Sequence, residues 1–298
     1  SDVDRTPDVV IVGLQELDMG VYAIVAGKQF GDKPQQWLDL LLARLNRDGD
    51  NYIELGHSQL GGVMLYAFYH KKHQGFIKHI GLGSHRAGAM SGTLANKGGI
   101  AFRMRMYDSD VCFVVSHLAA HQQFEERRNQ DMNRISQMHV EYTEIETGRK
   151  LDMAVLEHDV VVWMGDLNYR IDLPDDVVRS LVAQSKWADL YQHDQLVMNR
   201  EKGTAFKGFN EQHINFPPTF KIKIGEKEYK ENRIPSWCDR VLYKVQRRYH
   251  VDVLHYTSHE IYTSDHKPVT CLLSLHLRRV NPPKLQRVEQ YLDDVSAK

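Results

Sequence analysis

Five short polar clusters in this chain carry residue types that can do chemistry, and each adjoins an apolar run. Val9–Val12 leads into Gly13-Leu-Gln-Glu16, Val111–Val115 into Ser116-His117, and Val160–Met164 into Gly165-Asp-Leu-Asn168. Cys238-Asp-Arg240 precedes Val241-Leu-Tyr243, and Ser264-Asp-His266 precedes the run from Pro268 to Leu275. Glu and Asn oxygens suit a hard cation such as Mg²⁺, and no thiolate cluster points to zinc. Imidazoles beside carboxylates suit proton transfer and the stabilisation of developing negative charge. Together these groups fit attack of water on a phosphate, with a cation polarising a phosphoryl oxygen and a carboxylate orienting or deprotonating the water. Each group alone has a plainer reading. Glu16 could pair in a loop, His117 could be a satisfied buried histidine, and Asp166 could serve an Asx-turn. The joint placement is what argues for a site.

The elements that must position these clusters are legible as short β-branched runs. Val9–Val12, Val63–Phe68, Ile100–Met104, Val111–Val115, Val160–Met164, Val251–His255 and Val269–Leu275 read as buried strands. Three of the clusters follow their strands and two precede them. A single site therefore requires strands of both directions, hence mixed sheets. Trp37, Leu38, Leu41, Leu42 and Leu45 recur at helical spacing, as do Phe124, Met132, Ile135 and Met138. Both stripes read as core-packing faces. Lys221 to Tyr229 reads as a hairpin with its tip at Gly225-Glu226. Pro282-Pro283 opens a further helical pattern carrying Leu285, Val288, Tyr291 and Leu292. No internal linker is visible, so residues 1–278 read as one domain and 279–298 as a linker helix leading out of it.

Bulk properties narrow the classes. The chain has 298 residues, 42% of them hydrophobic and 26% charged, with 38 Lys+Arg against 39 Asp+Glu. A formal net charge of -1 is unlike a general nucleic-acid binder. No apolar run approaches the roughly 20 residues of a membrane span, and no secretory signal is visible. Three cysteines without paired spacing fit reduced thiols and a cytoplasmic location. Cysteine phosphatases need an Arg six residues after the nucleophile. Here those positions hold Leu118, Lys244 and Leu277.

Gly13-Leu-Gln-Glu16, Asn96-Lys-Gly-Gly99, Ser116-His-Leu-Ala-Ala-His121, Trp163-Met-Gly-Asp-Leu-Asn-Tyr-Arg170, Phe216-Pro-Pro-Thr219, Pro235-Ser-Trp-Cys-Asp-Arg240 and Thr263-Ser-Asp-His266 resemble the inositol polyphosphate 5-phosphatases. These belong to the DNase I-like endonuclease/exonuclease/phosphatase superfamily. The resemblance runs from about Asp8 to Leu277, and the stretch His117 to Asp131, with Glu126-Arg-Arg-Asn-Gln-Asp131, is closest to the type II branch, that of the Lowe syndrome phosphatase. It implies an α/β (α+β) fold, a four-layer α/β/β/α sandwich of two packed mixed β-sheets. It implies Mg²⁺-dependent removal of the 5-phosphate from phosphoinositides, such as the 4,5-bisphosphate and 3,4,5-trisphosphate lipids, or from soluble inositol polyphosphates.

The resemblance also implies roles. Glu16 ligates Mg²⁺, Asp166 orients and activates the attacking water, and Asn168 holds the water and a phosphate oxygen. His117 and His266 donate to phosphoryl oxygens, Asp239 orients His266, and Asp265 stands in or just outside the metal shell. Lys97, Lys221 and Arg233, expected outside the reaction centre, contact the neighbouring 4-phosphate. Met19, Met90 and Leu94 lie in loops that in relatives touch acyl chains, and here either meet a membrane or pack inward. The implied protein is a monomeric domain, peripheral at membranes, with further domains after the linker helix and no nucleic-acid partner. Three departures stand out. The family's first strand, with an Asn metal ligand, is not visible. Phe220 replaces a common Tyr, and Glu231 a common Lys. Two other readings stay open: a metal-dependent nuclease of the same superfamily, and a non-catalytic phosphoinositide-binding module.

Overall fold

A computed structural model describes residues 6–16, 33–49, 51–87 and 97–296. In chain order the elements are β1 (Val9–Leu14), α1 (Lys33–Leu45), β2 (Tyr52–Leu60), β3 (Val63–His70), β4 (Ile77–Arg86), β5 (Gly98–Met106), β6 (Ser109–His117), α2 (Glu125–Ser136), β7 (His139–Thr143), β8 (Lys150–Ala154), β9 (Val160–Asp166), α3 (Asp175–Ala183), α4 (Trp187–Tyr191), α5 (Gln195–Lys202), β10 (Asp239–Val245), β11 (His250–Ser258), β12 (Val269–His276) and α6 (Pro282–Ser296). Met19, Met90 and Leu94 lie outside the described residues.

A five-stranded sheet in the order β10-β9-β6-β5-β4 forms one layer. Within it β6 and β9 run parallel and every other pair antiparallel, so the sheet is mixed as the cluster positions demanded. The facing layer holds the antiparallel sheet β1-β3-β2 and the pair β11-β12. Alternation along each strand assigns its side chains to two cores. Val111, Phe113 and Val115 of β6, Val160 and Val162 of β9, and Val63, Leu65 and Ala67 of β3 meet between the sheets. Cys112 and Val114, with Val161 and Trp163, turn outward onto Met132 and Ile135 of α2 and Leu196 of α5. Met64, Tyr66 and Phe68 of β3 pack against Leu38 of α1. The result is the four-layer α/β/β/α arrangement. Strands buried on both faces explain why the sequence showed continuous apolar runs there rather than alternation.

The hairpin expected over 221–229 forms, through the Ile222–Tyr229 bridge and backbone bonds from Lys223 N to Glu228 O and from Lys230 N to Lys221 O, both at 2.8 Å, with Ile224 exposed near its tip. In α6 no residue is buried, Leu285, Val288, Tyr291 and Leu292 included.

The start of β10 is fixed by a buried ion cluster. Arg240 donates to Asp194 at 2.9 Å and to both oxygens of Glu211 at 2.7 Å, and all three side chains are inaccessible to solvent. Removing Arg240 would leave Asp194 buried without its cation and Glu211 with only Arg200, at 3.5 Å. Arg240→Leu should therefore cost about 3–5 kcal/mol of stability, read from denaturant unfolding. A loss below about 1 kcal/mol would mean the carboxylates escape to solvent or take up protons.

Candidate active site

Backbone register brings the chemistry together. His117 pairs with Asp166 across the β6–β9 ladder, Asp166 with Asp239 across β9–β10, and Gly98 with His117 across β5–β6. Four adjacent strand ends thus set these residues in one row, with Lys97 one residue before β5. Gly165 makes the row possible. At φ 135° it lies in a region that L side chains rarely adopt, and a Cβ there would fall 2.1 Å from the Ser116 carbonyl oxygen.

Asp166 divides its two oxygens between structure and chemistry. Oδ1 accepts from the Asn168 backbone N–H at 3.0 Å, which is the Asx-turn. Oδ2 lies 3.1 Å from His117 Nε2 and 4.0 Å from His266 Nε2. Burial alone would raise its pKa, but His117, His266 and Lys97 override burial and hold the carboxyl well below the usual carboxylate range. It is therefore an anion at neutral pH, although only 5% exposed.

Asn168 sits at φ 57°, a left-handed conformation that asparagine tolerates. Its Nδ2 donates to the Leu118 carbonyl at 3.1 Å, and its Oδ1 accepts from Arg170 Nη2 at 2.5 Å. The amide is thereby fixed in orientation, with one N–H left for a ligand. Arg170 also lies 4.3 Å over the Phe220 ring, which stands 4.7 Å from the His266 imidazole. Phe220 thus fills the space between two cations, a role that needs no hydroxyl.

His266 Nδ1 donates to Asp239 Oδ2 at 2.9 Å. Burial would lower its pKa, but Asp239, then Asp166 and Asp265, raise it to about 9. At neutral pH the imidazole is a cation with its Nε2–H toward Asp166. Asp166, Asp239 and His266 lie close enough together to suggest a shared metal. The hydrogen bond from His266 Nδ1 to Asp239 also orders the same trio as a carboxylate–imidazole–carboxylate chain.

Glu16 is different. Its carboxylate is 68% exposed at the pocket mouth, 3.7 Å from His117 Nε2. Set beside the anionic Asp166, it gives an all-oxygen donor set that fits a hard divalent cation.

Two expected residues have neighbours that the sequence did not show. Lys97, expected at the periphery, lies in the reaction centre. Its Nζ contacts the His117 ring and stands 3.5 Å from Glu16 Oε1, with 11% of the side chain exposed. Burial lowers its pKa, and Asp166 and Glu16 work against that. The cause is strand pairing: the residue before β5 must sit beside the end of β6. Asp265, expected in or just outside the metal shell, lines the same pocket and binds Lys221 Nζ at 2.9 Å. Lys221 and Arg233 do line the wall of the pocket, a cavity of about 310 Å³ that also meets Glu16, Asp166, Asn168 and His266. Arg179, which no sequence pattern singled out, braces this wall by donating to the Lys230 and Arg233 carbonyls.

Comparison with known proteins identifies the family. The chain matches endonuclease/exonuclease/phosphatase family 2 over residues 1–272. It is 36% identical over 282 residues to the type II inositol 1,4,5-trisphosphate 5-phosphatase of Mus musculus, covering 92% of this chain and 27% of that protein. The chain thus spans about a quarter of that relative. The inositol polyphosphate 5-phosphatase domain of spsynaptojanin, solved with inositol (1,4)-bisphosphate and calcium ion, superposes with a TM-score of 0.77 at 30% identity, covering 99% of this chain and 85% of that one. A ferrous NO complex of a Cimex nitrophorin shares the fold with a TM-score of 0.70 at 24% identity, covering 93% of this chain and 90% of that one. The same architecture therefore hosts other chemistry, and the side chains must decide.

Proposed function

Since the chain belongs to endonuclease/exonuclease/phosphatase family 2, we propose that it hydrolyses the 5-phosphate of phosphatidylinositol 4,5-bisphosphate, the 3,4,5-trisphosphate lipid or the soluble inositol polyphosphates, using Mg²⁺. The observation that carries this reading is the anionic Asp166 Oδ2 held between two imidazoles on the floor of a cation-walled pocket.

In the proposed reaction Asp166 Oδ2 orients a water and takes its proton, while the free Asn168 N–H fixes that water's direction. The phosphoryl group enters among Lys97, His117 and His266. Lys97 and the protonated His266 bring positive charge to this position, which favours an anion there. The Asp239-bound His266 cation and His117 donate to the phosphoryl oxygens as charge builds. When bound, Mg²⁺ held by Glu16 would polarise a phosphoryl oxygen. Lys221, steadied by Asp265, and Arg233 would hold the neighbouring 4-phosphate. We read residues 279–298 as a linker to further parts of a longer protein, and membrane contact as peripheral. Among the described residues no helix is long and apolar enough to cross a membrane.

The test is phosphate release from vesicles containing phosphatidylinositol 4,5-bisphosphate and from soluble inositol 1,4,5-trisphosphate, with and without Mg²⁺. Mg²⁺-dependent release is the expected result. Vesicle binding without turnover would leave a binding module, and cleavage of DNA in place of inositides would leave a nuclease. Lys221→Ala should lower kcat/KM for a 4,5-bisphosphate about 10- to 100-fold, the range for a hydrogen bond to a charged group. A substrate lacking the 4-phosphate should lose far less. Equal losses on both substrates would remove Lys221 from phosphate recognition.

A further inference from the structure

We propose that Thr219 is a positioning residue of the reaction centre, its hydroxyl locking the carboxylate that aims His266. The inference rests on the hydrolytic reading above and adds a member to its machinery.

Thr219 is completely buried, and its Oγ1 donates to Asp239 Oδ2 at 2.6 Å. The same oxygen accepts from His266 Nδ1 at 2.9 Å, while Oδ1 stands 3.2 Å from Nδ1. One carboxylate oxygen thus takes two donors from opposite elements. The torsion that turns a carboxylate about its last bond is broad and roughly two-fold, so a single imidazole donor does not fix it. A second donor on the same oxygen does. With Oδ2 held, Nδ1–H has one direction to point, and Nε2 on the far side of the ring is aimed toward Asp166.

The backbone around Thr219 is equally fixed. Its carbonyl accepts from the Lys267 N–H at 2.9 Å, next to His266, and the adjacent Phe220 bridges to both Ser236 and His266. Thr219 therefore ties the segment carrying Asp239 to the segment carrying His266. Thr219 itself does not line the pocket, so its hydroxyl acts on rate through Asp239.

The variants that separate hydrogen bonding from packing are Thr219→Val, which keeps the shape, and Thr219→Ser, which keeps the hydroxyl. Activity would be measured as Mg²⁺-dependent phosphate release from phosphatidylinositol 4,5-bisphosphate vesicles. T219V should lose about 10- to 100-fold in kcat with KM little changed, and T219S should restore most of it. In an Asp239→Ala background T219V should add nothing further, because the partner through which it acts is gone. The low-field proton NMR signal of the His266 Nδ1–H, assigned by its loss in His266→Gln, should persist in T219S and broaden or vanish in T219V. This signal needs no turnover and can be read at low temperature if T219V is thermally weakened. Should T219V not fold at all, Thr219→Cys, a weaker donor of similar size, should fall between wild type and Asp239→Ala.

Three results would overturn the proposal: T219V within twofold of wild type, T219S as impaired as T219V, or additive losses in the Asp239→Ala background. If Asp239→Ala itself leaves kcat unchanged, the hydrolytic reading of the dyad has failed, and Thr219 has no relay to serve.

Discussion

Asp166→Asn is expected to lower kcat for phosphate release by about 10³-fold while leaving substrate binding within a few-fold of wild type. The magnitude follows from the range seen when a general base is lost. Asparagine is the informative substitution because Asp166 has two jobs. Its Oδ1 closes the Asx-turn through the Asn168 N–H, and an asparagine carbonyl can do the same. Its Oδ2 carries the charge between His117 and His266, and only this is removed. Asp166→Ala removes both and should lose stability as well as rate. The sign of the pH effect is fixed by the depressed pKa. The anion's stabilisation is complete above the ordinary carboxylate range and is lost only as pH falls well below it. Wild type should consequently lose both activity and stability in acid, while D166N should lose no stability there on account of this group. Steady-state kinetics with D166N, alongside its melting curve across acidic pH, tests both statements. A D166N enzyme within tenfold of wild type would remove Asp166 as the base.

Lys221 and Asp265 show where sequence reasoning stopped. Each was legible as a polar residue next to a strand, but the pairing of one with the other depends on the 221–222 segment lying against the segment before β12, as the Ile222 N–H to Asp265 carbonyl bond shows. Local pattern carries no information about that return. Lys97 is the same case in reverse. Its position one residue before a strand was visible, but its neighbour is chosen by the order β9-β6-β5. By contrast, His117, Asp166 and Asp239 could be brought to one row from strand direction alone, since apolar runs mark where strands end and a common site fixes their sense. The inter-sheet core was likewise written in β-branched runs. The strands β2, β4, β7 and β8 and the helices α3, α4 and α5 were missed, because each is short or half-exposed. Thr219 stood inside a quoted motif without a role. A hydroxyl's partner lies in space rather than in sequence, and 20 residues separate it from Asp239.

His266→Gln is expected to lower kcat about 10²- to 10³-fold, the cost of losing one donor to developing charge, and to change the shape of the pH profile. The wild-type imidazole keeps its proton to about pH 9 because Asp239, Asp166 and Asp265 outweigh its burial. If the cation is the donor, the rate holds through neutral pH and falls as pH rises through about 9. Linkage gives stability the same direction. A pKa raised above the unfolded value adds stability that is complete below about 6.5 and lost as pH climbs through the folded value. H266Q should therefore show neither the alkaline fall in rate nor the alkaline loss of stability from this group. Rate profiles and melting temperatures of wild type and H266Q, measured from neutral pH to about 10, distinguish the cases. An unchanged alkaline limb in H266Q would assign it to another group, of which Lys97 is the nearest cation. A wild-type limb centred near the ordinary histidine value would mean that Asp239 orients the ring without holding its charge. The relay of carboxylate, imidazole and carboxylate would then serve geometry alone.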